Sequence, residues 1–202
     1  KKIIALIALL ILPIQAFGAE NTEQNEVRVF VEKVGNDIVG IANQKIPEAK
    51  KREKIIAIVD SVIDADWIAR FVLGKNYKTA TDKQRAEFLK LYRDFMINTY
   101  GPKFKNYDGR KFTVNEVTQQ SSFLVAKAEF LPRDSNVAIS VDFRVKKRGD
   151  KLVILDFIAE GISLIETQRS EFNSAIATQG MDEFLKNLGE RVKKLKIQAT
   201  AQ

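Results

Sequence analysis

Residues 137–158 read VAISVDFRVKKRGDKLVILDFI, and this stretch decides the fold class. Val137, Ile139, Val141, Phe143 and Val145 alternate with Ala138, Ser140, Asp142, Arg144 and Lys146. A period of two places the first set on one face of a strand and the second on the other. Arg148-Gly149-Asp150 turns the chain, glycine supplying the positive φ of a hairpin. Lys151–Ile158 is almost continuously apolar, which predicts a central strand covered on both sides. Arg-Gly-Asp also matches a cell-adhesion tripeptide, but its place between two strand patterns reads as a turn.

The β signal extends upstream. Lys111–Gln119 and Ser122–Leu131 are rich in β-formers, and Pro132-Arg-Asp-Ser-Asn136 makes a loop. Together these segments predict a four-stranded antiparallel meander. Before it the period is helical. Val27, Phe30, Val31, Val34, Ile38 and Ile41 recur at three- and four-residue spacing over Val27–Asn43. Pro47 suits the first turn of a second helix running through Ile55, Ile56, Ile58, Val59 and Val62. Asp64-Ala65-Asp66 precedes a short helix, Trp67–Leu73, closed by Gly74. Thr81 with Gln84 reads as a capping box, opening a helix with Phe88, Leu89, Tyr92, Phe95, Met96 and Tyr100 on one face. Gly101-Pro102 ends it.

After the strands, helix returns beyond Gly161. Ile165, Arg169, Phe172 and Ile176 form one stripe, Gly180 punctuates, and a last helix turns Phe184, Leu185, Leu188, Val192 and Leu195 inward. With no internal repeat and no Pro/Gly/Ser-rich linker, residues 19–202 are expected to form one α+β domain. It is helical over 24–105, a curved sheet over 111–159 and helical again over 163–196, with six to seven helices in all.

The N-terminus reads as an export signal. Lys1 and Lys2 precede the apolar run Ile3–Leu12, Pro13 breaks it, and Ala16-Phe17-Gly18 offers small residues for cleavage after Gly18, or after Ala19. Ten apolar residues are too few for a bilayer, which needs about 20. The expected mature chain of 19–202 is therefore soluble and released. The sequence carries a formal charge of +7 and contains neither cysteine nor histidine. The modest charge does not suggest nucleic acid, and suits acidic proteins or an anionic membrane surface. Missing cysteine removes thiol nucleophiles, disulfides and lipid attachment at an N-terminal thiol; missing histidine removes His-based triads and the common zinc sites.

Carboxylate, lysine or tyrosine chemistry remains open, and carboxylate pairs are the candidates the sequence offers. Asp64 with Asp66, or Asp156 with Glu160, are conceivable, but acid–base work needs two carboxyls in different environments facing one cavity. Asp64 or Asp66 is more simply a helix cap, and Asp156 and Glu160 flank a strand end. Arg191, Lys193, Lys194 and Lys196 form a basic C-terminal face, either a solvated helix end or a docking surface. Trp67, Phe71, Phe88, Tyr92, Phe95, Tyr100, Phe104, Phe143 and Phe157 would fill a solid core or line a hollow one. Periodicity alone leaves both open.

Three segments carry a resemblance: Ala65-Asp-Trp-Ile-Ala-Arg-Phe-Val-Leu-Gly74, Thr81–Tyr100 with its Gln84-Arg-Ala-Glu-Phe-Leu-Lys-Leu-Tyr-Arg-Asp-Phe95, and Glu160-Gly-Ile-Ser-Leu-Ile-Glu-Thr-Gln-Arg-Ser-Glu-Phe172. In this order they resemble the MlaC family, also called the toluene-tolerance or phospholipid-binding family. The resemblance implies a periplasmic, non-enzymatic phospholipid carrier of a Gram-negative cell. Such a carrier works between an outer-membrane lipoprotein–porin complex and an inner-membrane ABC transporter bearing an MCE-domain ring, and maintains outer-membrane lipid asymmetry. It implies a sheet with helices resembling an NTF2-like cone, with an apolar cavity holding acyl chains as cargo and no cofactor or metal. An NTF2-like enzyme acting on a small apolar substrate is the alternative. From side-chain size and expected facing, the lipid-lining candidates are Trp67, Phe71, Phe95, Met96, Tyr100, Val141, Phe143, Ile154, Ile162 and Leu164. Arg191, Lys193 and Lys194 are the partner-docking candidates, on a chain expected to be monomeric.

Overall fold

A computed structural model describes residues 21–100, 111–133 and 135–200. The expected leader at 1–18, and the helical segment beyond residue 100 with Phe104, lie outside the described residues. The elements run α1 (Thr22–Ala42), α2 (Glu48–Val62), α3 (Ala65–Leu73), α4 (Asn76–Thr79), α5 (Asp82–Tyr100), β1 (Lys111–Gln120), β2 (Phe123–Leu131), β3 (Ile139–Arg148), β4 (Lys151–Ala159), β5 (Ile162–Ser163), α6 (Leu164–Gln179) and α7 (Met181–Thr200). The α+β class and the antiparallel sheet agree with the sequence reading.

The sheet has five strands in the order β1-β2-β3-β4-β5, not four. The fifth is two residues long and pairs Ile158 with Ser163 and Ala159 with Ile162. No period is legible in two residues, which is why the strand pattern passed over it. Arg148 opposes Lys151 across the β3–β4 turn, and Gly149 there has φ +59, so Arg-Gly-Asp is a hairpin. The short α4 was also not expected; at four residues it is too brief to show an apolar stripe.

Sequence signals place several helix ends well. Asp64 caps α3 by accepting from the Trp67 amide at 3.0 Å, and Gly74 closes that helix at φ +57. Thr81 and Gln84 exchange the two bonds of a capping box. The first helix begins earlier than the apolar period, because Asn21 and Gln24 form a capping box of their own.

Helix α1 lies along β1, the outermost strand. Gln24, Arg28 and Glu32, one turn apart, reach the free backbone of that strand. Gln24 donates to the Val117 carbonyl, Arg28 donates to the carbonyls of Val114 and Asn115, and Glu32 accepts from the Val114 amide. Side chains thus occupy positions that a further strand would take, a way of blunting an open sheet edge.

Two hydrophobic cores result. One lies between α1, α2 and the inner face of the sheet, and includes Val27, Val31, Phe112, Ala126, Phe143 and Ile154. The other is helical, built by α3, α5, α6 and α7 around Val72, Leu73, Phe88, Phe95, Phe172 and Phe184. Strand β4 stands between them, so although it lies next to the short β5 rather than at the middle of the sheet, its centre is buried. A bulge makes this possible. Val145 pairs with Ile154 and Arg144 with Asp156, leaving Leu155 as the extra residue. Ile154 and Phe157 can therefore both join the sheet-side core, three residues apart, while Asp156 turns to the helices.

Candidate functional site

The helical core is built around a cluster of rings in mutual contact. Phe172 meets Phe88, Tyr92 and Phe95 edge-on at centroid distances of 6.2, 6.2 and 5.8 Å, and Phe184 lies 5.2 Å away. Phe88 is fully buried and Phe172 nearly so. The buried Tyr92 hydroxyl donates to Gln168, whose amide donates to the Met96 sulfur at 3.0 Å. Burial pushes the Tyr92 phenol far above its ordinary range, with lesser pushes from Tyr100 and Asp156, so it stays a neutral donor.

Four of the ten lining candidates belong to this core: Trp67, Phe71, Phe95 and Met96. Trp67 stacks on Phe71 at 5.2 Å, Arg169 covers the Phe71 ring at 4.7 Å, and Arg191 covers Phe95 at 4.6 Å. Faces occupied by neighbouring rings and guanidinium groups do not border a cavity in common with the sheet. Tyr100, half-buried at the end of α5, has its phenol raised chiefly by burial, opposed by a hydrogen bond with Gln168, and so also sits on the helical side. Ile162 is 65% exposed on β5, and Leu164 is half-buried at the start of α6. The expectation that all ten face one another across one space is therefore not what the structure shows. Helix α6 and Asp156 stand on the opposite side of β4 from the sheet-side core.

Val141, Phe143 and Ile154 do come together. They share the inner face of β3 and β4, where Phe143 pairs with Phe157 and Val145 with Ile154. This face is covered incompletely. Phe112 and Phe143 each keep 9% of their surface, while Val27, Ala126 and Val145 in the same core keep none. Around these rings Phe30, Ile38, Val39, Ile58, Val62, Ile139, Leu152 and Phe157 pack as only partly buried groups. The cover is α2, whose apolar residues Ile55, Ile56, Ile58, Val59 and Val62 predict a well-buried stripe. Of its fifteen residues only Ile55 is buried.

Polar ties hold α2 at its sides. Arg52 donates to Asn98 at 2.6 Å, Arg93 pairs with Asp60, and the Asp64 amide bonds the Ile154 carbonyl at the free edge of β4. Beneath α2, then, the described residues form an apolar layer: Val34, Ile58, Val62, Phe112, Val141, Phe143, Ile154 and Phe157. Sequence reasoning missed Phe112, Ile58 and Val62 here, although the apolar run of α2 was visible. A cleft of about 130 Å³ between α6 and α7, lined by Phe172, Phe184, Leu188, Glu171 and Arg191 among others, falls below the ~300 Å³ at which ligand sites begin.

Two of the four carboxylates considered for catalysis, Asp64 and Asp156, do structural work. Asp64 caps α3 and pairs with Arg148 at 3.1 Å. Asp156, its side chain fully buried, accepts from Ser163 Oγ at 2.6 Å, the Phe157 amide at 2.8 Å, Arg144 at 2.9 Å and the Ile165 amide at 3.3 Å. It thereby fastens the N-terminus of α6 to β4. Glu160 is exposed, at φ +49, and does not share that site. Among the described residues no group of three His, Cys, Asp or Glu is placed to hold a metal ion, and no helix is long and apolar enough to cross a membrane. Of the docking candidates, Arg191 is engaged with Glu171 at 2.6 Å as well as with Phe95, while Lys193 and Lys194 are exposed on α7.

Comparison with known proteins places this architecture. A solved phospholipid-binding protein from Ralstonia solanacearum, in complex with a phospholipid, superposes with a TM-score of 0.74 at 18% identity, covering 84% of this chain and 98% of that one. The intermembrane phospholipid transport system binding protein MlaC of Haemophilus influenzae is 19% identical over 124 residues, 59% of this chain. The match spans 58% of that relative's length. The sequence model of the MlaC protein family matches residues 32–190, from within α1 to within α7, and the chain belongs to the MlaC family.

Proposed function

We propose that this protein is a phospholipid carrier and that its cargo's acyl chains lie in the apolar layer between α2 and the inner face of β3–β4. The observation that carries this reading is the incomplete cover of that layer: Phe143, Phe112, Ile154 and Val34 keep accessible surface, and Ile58, Val62 and Phe157 around them are only partly buried. An acyl chain offers what such walls complement, methylene surface with no charge. Each buried methylene is worth about 0.8 kcal/mol, so the tens of methylenes on two chains represent roughly 20 kcal/mol of exposure that a sheath removes. Apolar walls without a polar cluster give an enzyme nothing to work with, so we read the protein as a carrier rather than a catalyst. The phospholipid named for the R. solanacearum protein and the transport role named for the H. influenzae protein agree with this reading.

In the fuller picture the carrier is periplasmic. It exchanges lipid with an outer-membrane lipoprotein–porin complex and an inner-membrane MCE-domain ABC transporter, and so maintains outer-membrane lipid asymmetry. Lys193 and Lys194 are the residues of the docking trio free to meet an acidic partner surface, because Arg191 is engaged within the fold. Reversing both lysines to glutamate is expected to weaken binding to a partner complex without changing lipid content.

The test of the carrier is chemical. Organic extraction of gently purified protein followed by mass spectrometry is expected to return stoichiometric phospholipid, and Phe143→Glu, checked for folding by circular dichroism, to return none. Lipid-free wild-type protein in repeated preparations sinks the proposal. Unchanged lipid in folded Phe143→Glu sinks the placement.

A further inference from the structure

One contact in the sheet-side core is closer than side chains normally allow. Gly35 lies in the middle of α1, where glycine costs ~1 kcal/mol relative to alanine. A Cβ built at Gly35 would stand 2.3 Å from Cδ1, 2.4 Å from Cε1 and 2.6 Å from Cγ of Phe112. The ring is seated directly on the helix backbone, and any larger residue must displace it. Gly40, five residues further on in the same helix, has nothing within 4 Å of its Cβ position, so the close approach is particular to residue 35.

The far side of that ring matters. Phe112 meets Phe143 edge-on at 6.0 Å, and Phe143 meets Phe157 edge-on at 5.3 Å. The three come from β1, β3 and β4, so the rings cross the inner face of the sheet in a row that begins at α1. Phe112 also opposes Phe130 in the pairing of β1 with β2, and Phe130 opposes Ile139 in the pairing of β2 with β3. That register puts Phe112 in the terminal row of the inner face. Its ring has a rigid backbone on one side and the Phe143 ring at its other contact, which is the placement of an end wall.

We infer that Phe112, backed by Gly35, is the stop that sets how long an acyl chain the chamber accepts. The inference rests on the carrier reading above and adds a specificity determinant to it. Shortening the side chain extends the chamber toward α1; filling Gly35 drives the ring into the chamber.

The experiment loads purified full-length wild type, Phe112→Ala, Phe112→Leu and Gly35→Ala with lipid. Each is incubated with vesicles holding an equimolar series of phosphatidylethanolamines of graded acyl length, and bound lipid is read by mass spectrometry. The expected result is a bound distribution shifted to longer chains for Phe112→Ala, a smaller shift the same way for Phe112→Leu, and shorter chains or less lipid for Gly35→Ala. Phe112→Leu keeps an aliphatic wall and decides the matter if Phe112→Ala does not fold. A loaded wild type whose chain-length profile the folded Phe112 variants share overturns this inference alone. A wild type that takes up no lipid from any vesicle overturns the carrier reading and this inference with it.

Discussion

The two cores of this molecule use similar residues to different ends. In the helical core, Phe88, Tyr92, Phe95, Phe172 and Phe184 contact one another from three helices, and Gln168 satisfies the one buried phenol. In the sheet-side core, Phe112, Phe143 and Phe157 form a row that α1 covers at the Phe112 end, while α2, over β4, buries one residue of fifteen. Helices packed on all sides of a cluster can bring rings to it from every direction. A sheet face presents its rings from one side, and α2 buries too little of itself to complete the cover that α1 begins. The difference teaches that aromatic content alone does not tell a filled core from a partly covered one.

Paired truncations put the greatest strain on this comparison. Phe172→Ala is expected to cost 3–5 kcal/mol, roughly the full range for a buried phenylalanine, because neighbouring rings cannot collapse into the space. Phe143→Ala is expected to cost less, about 2 kcal/mol, because its surroundings are already partly open. Urea unfolding of lipid-stripped protein measures both, and equal losses would erase the distinction between the cores. A smaller change probes the cover itself. Ile58→Asp, at a half-buried site on α2, is expected to lower stability by ~1 kcal/mol while sharply reducing bound lipid. Full lipid retention would show that α2 does not face the cargo.

The smallest effect concerns the seam between the cores. Burial holds the Asp156 carboxyl above the usual carboxylate range, outweighing the hydrogen bonds from Ser163, Ile165 and Phe157 and the charge of Arg144. The folded protein therefore takes up this proton at a higher pH than the unfolded chain does. The stabilisation from that titration is complete below the ordinary value of 3.8 and is lost as pH rises through the raised folded value. Asp156→Asn should accordingly be more destabilising, relative to wild type, near pH 4 than at pH 7. The reverse order would mean that the ion pair with Arg144 dominates.

Much of the fold was legible in the residues. The alternation from Val137 to Val145, the capping pair Thr81 and Gln84, and Asp64 before Trp67 each act within a few residues, so local spacing reports them. The candidate site was legible only in part. Strand alternation puts Val141, Phe143 and Ile154 on one face, the face of the proposed chamber. Trp67, Phe71, Phe95 and Met96 lie instead in the helical core, because helix periodicity identifies a buried stripe without saying what lies opposite it. Phe112 and Gly35 gave no signal, since their meaning is a contact between residues far apart in the chain.

Sequence by itself determined the α+β class, the antiparallel meander, most helix ends and the resemblance to the MlaC family, because each rests on local periodicity, capping chemistry or contiguous segments. Tertiary structure alone decided that there are two cores rather than one, that the bulge at Leu155 sends Ile154 and Asp156 to opposite sides, and that α2 leaves the inner face of β3–β4 incompletely covered. Those outcomes depend on how surfaces distant in sequence fit together, and whether a set of large apolar side chains fills a space or lines it is a property of that fit.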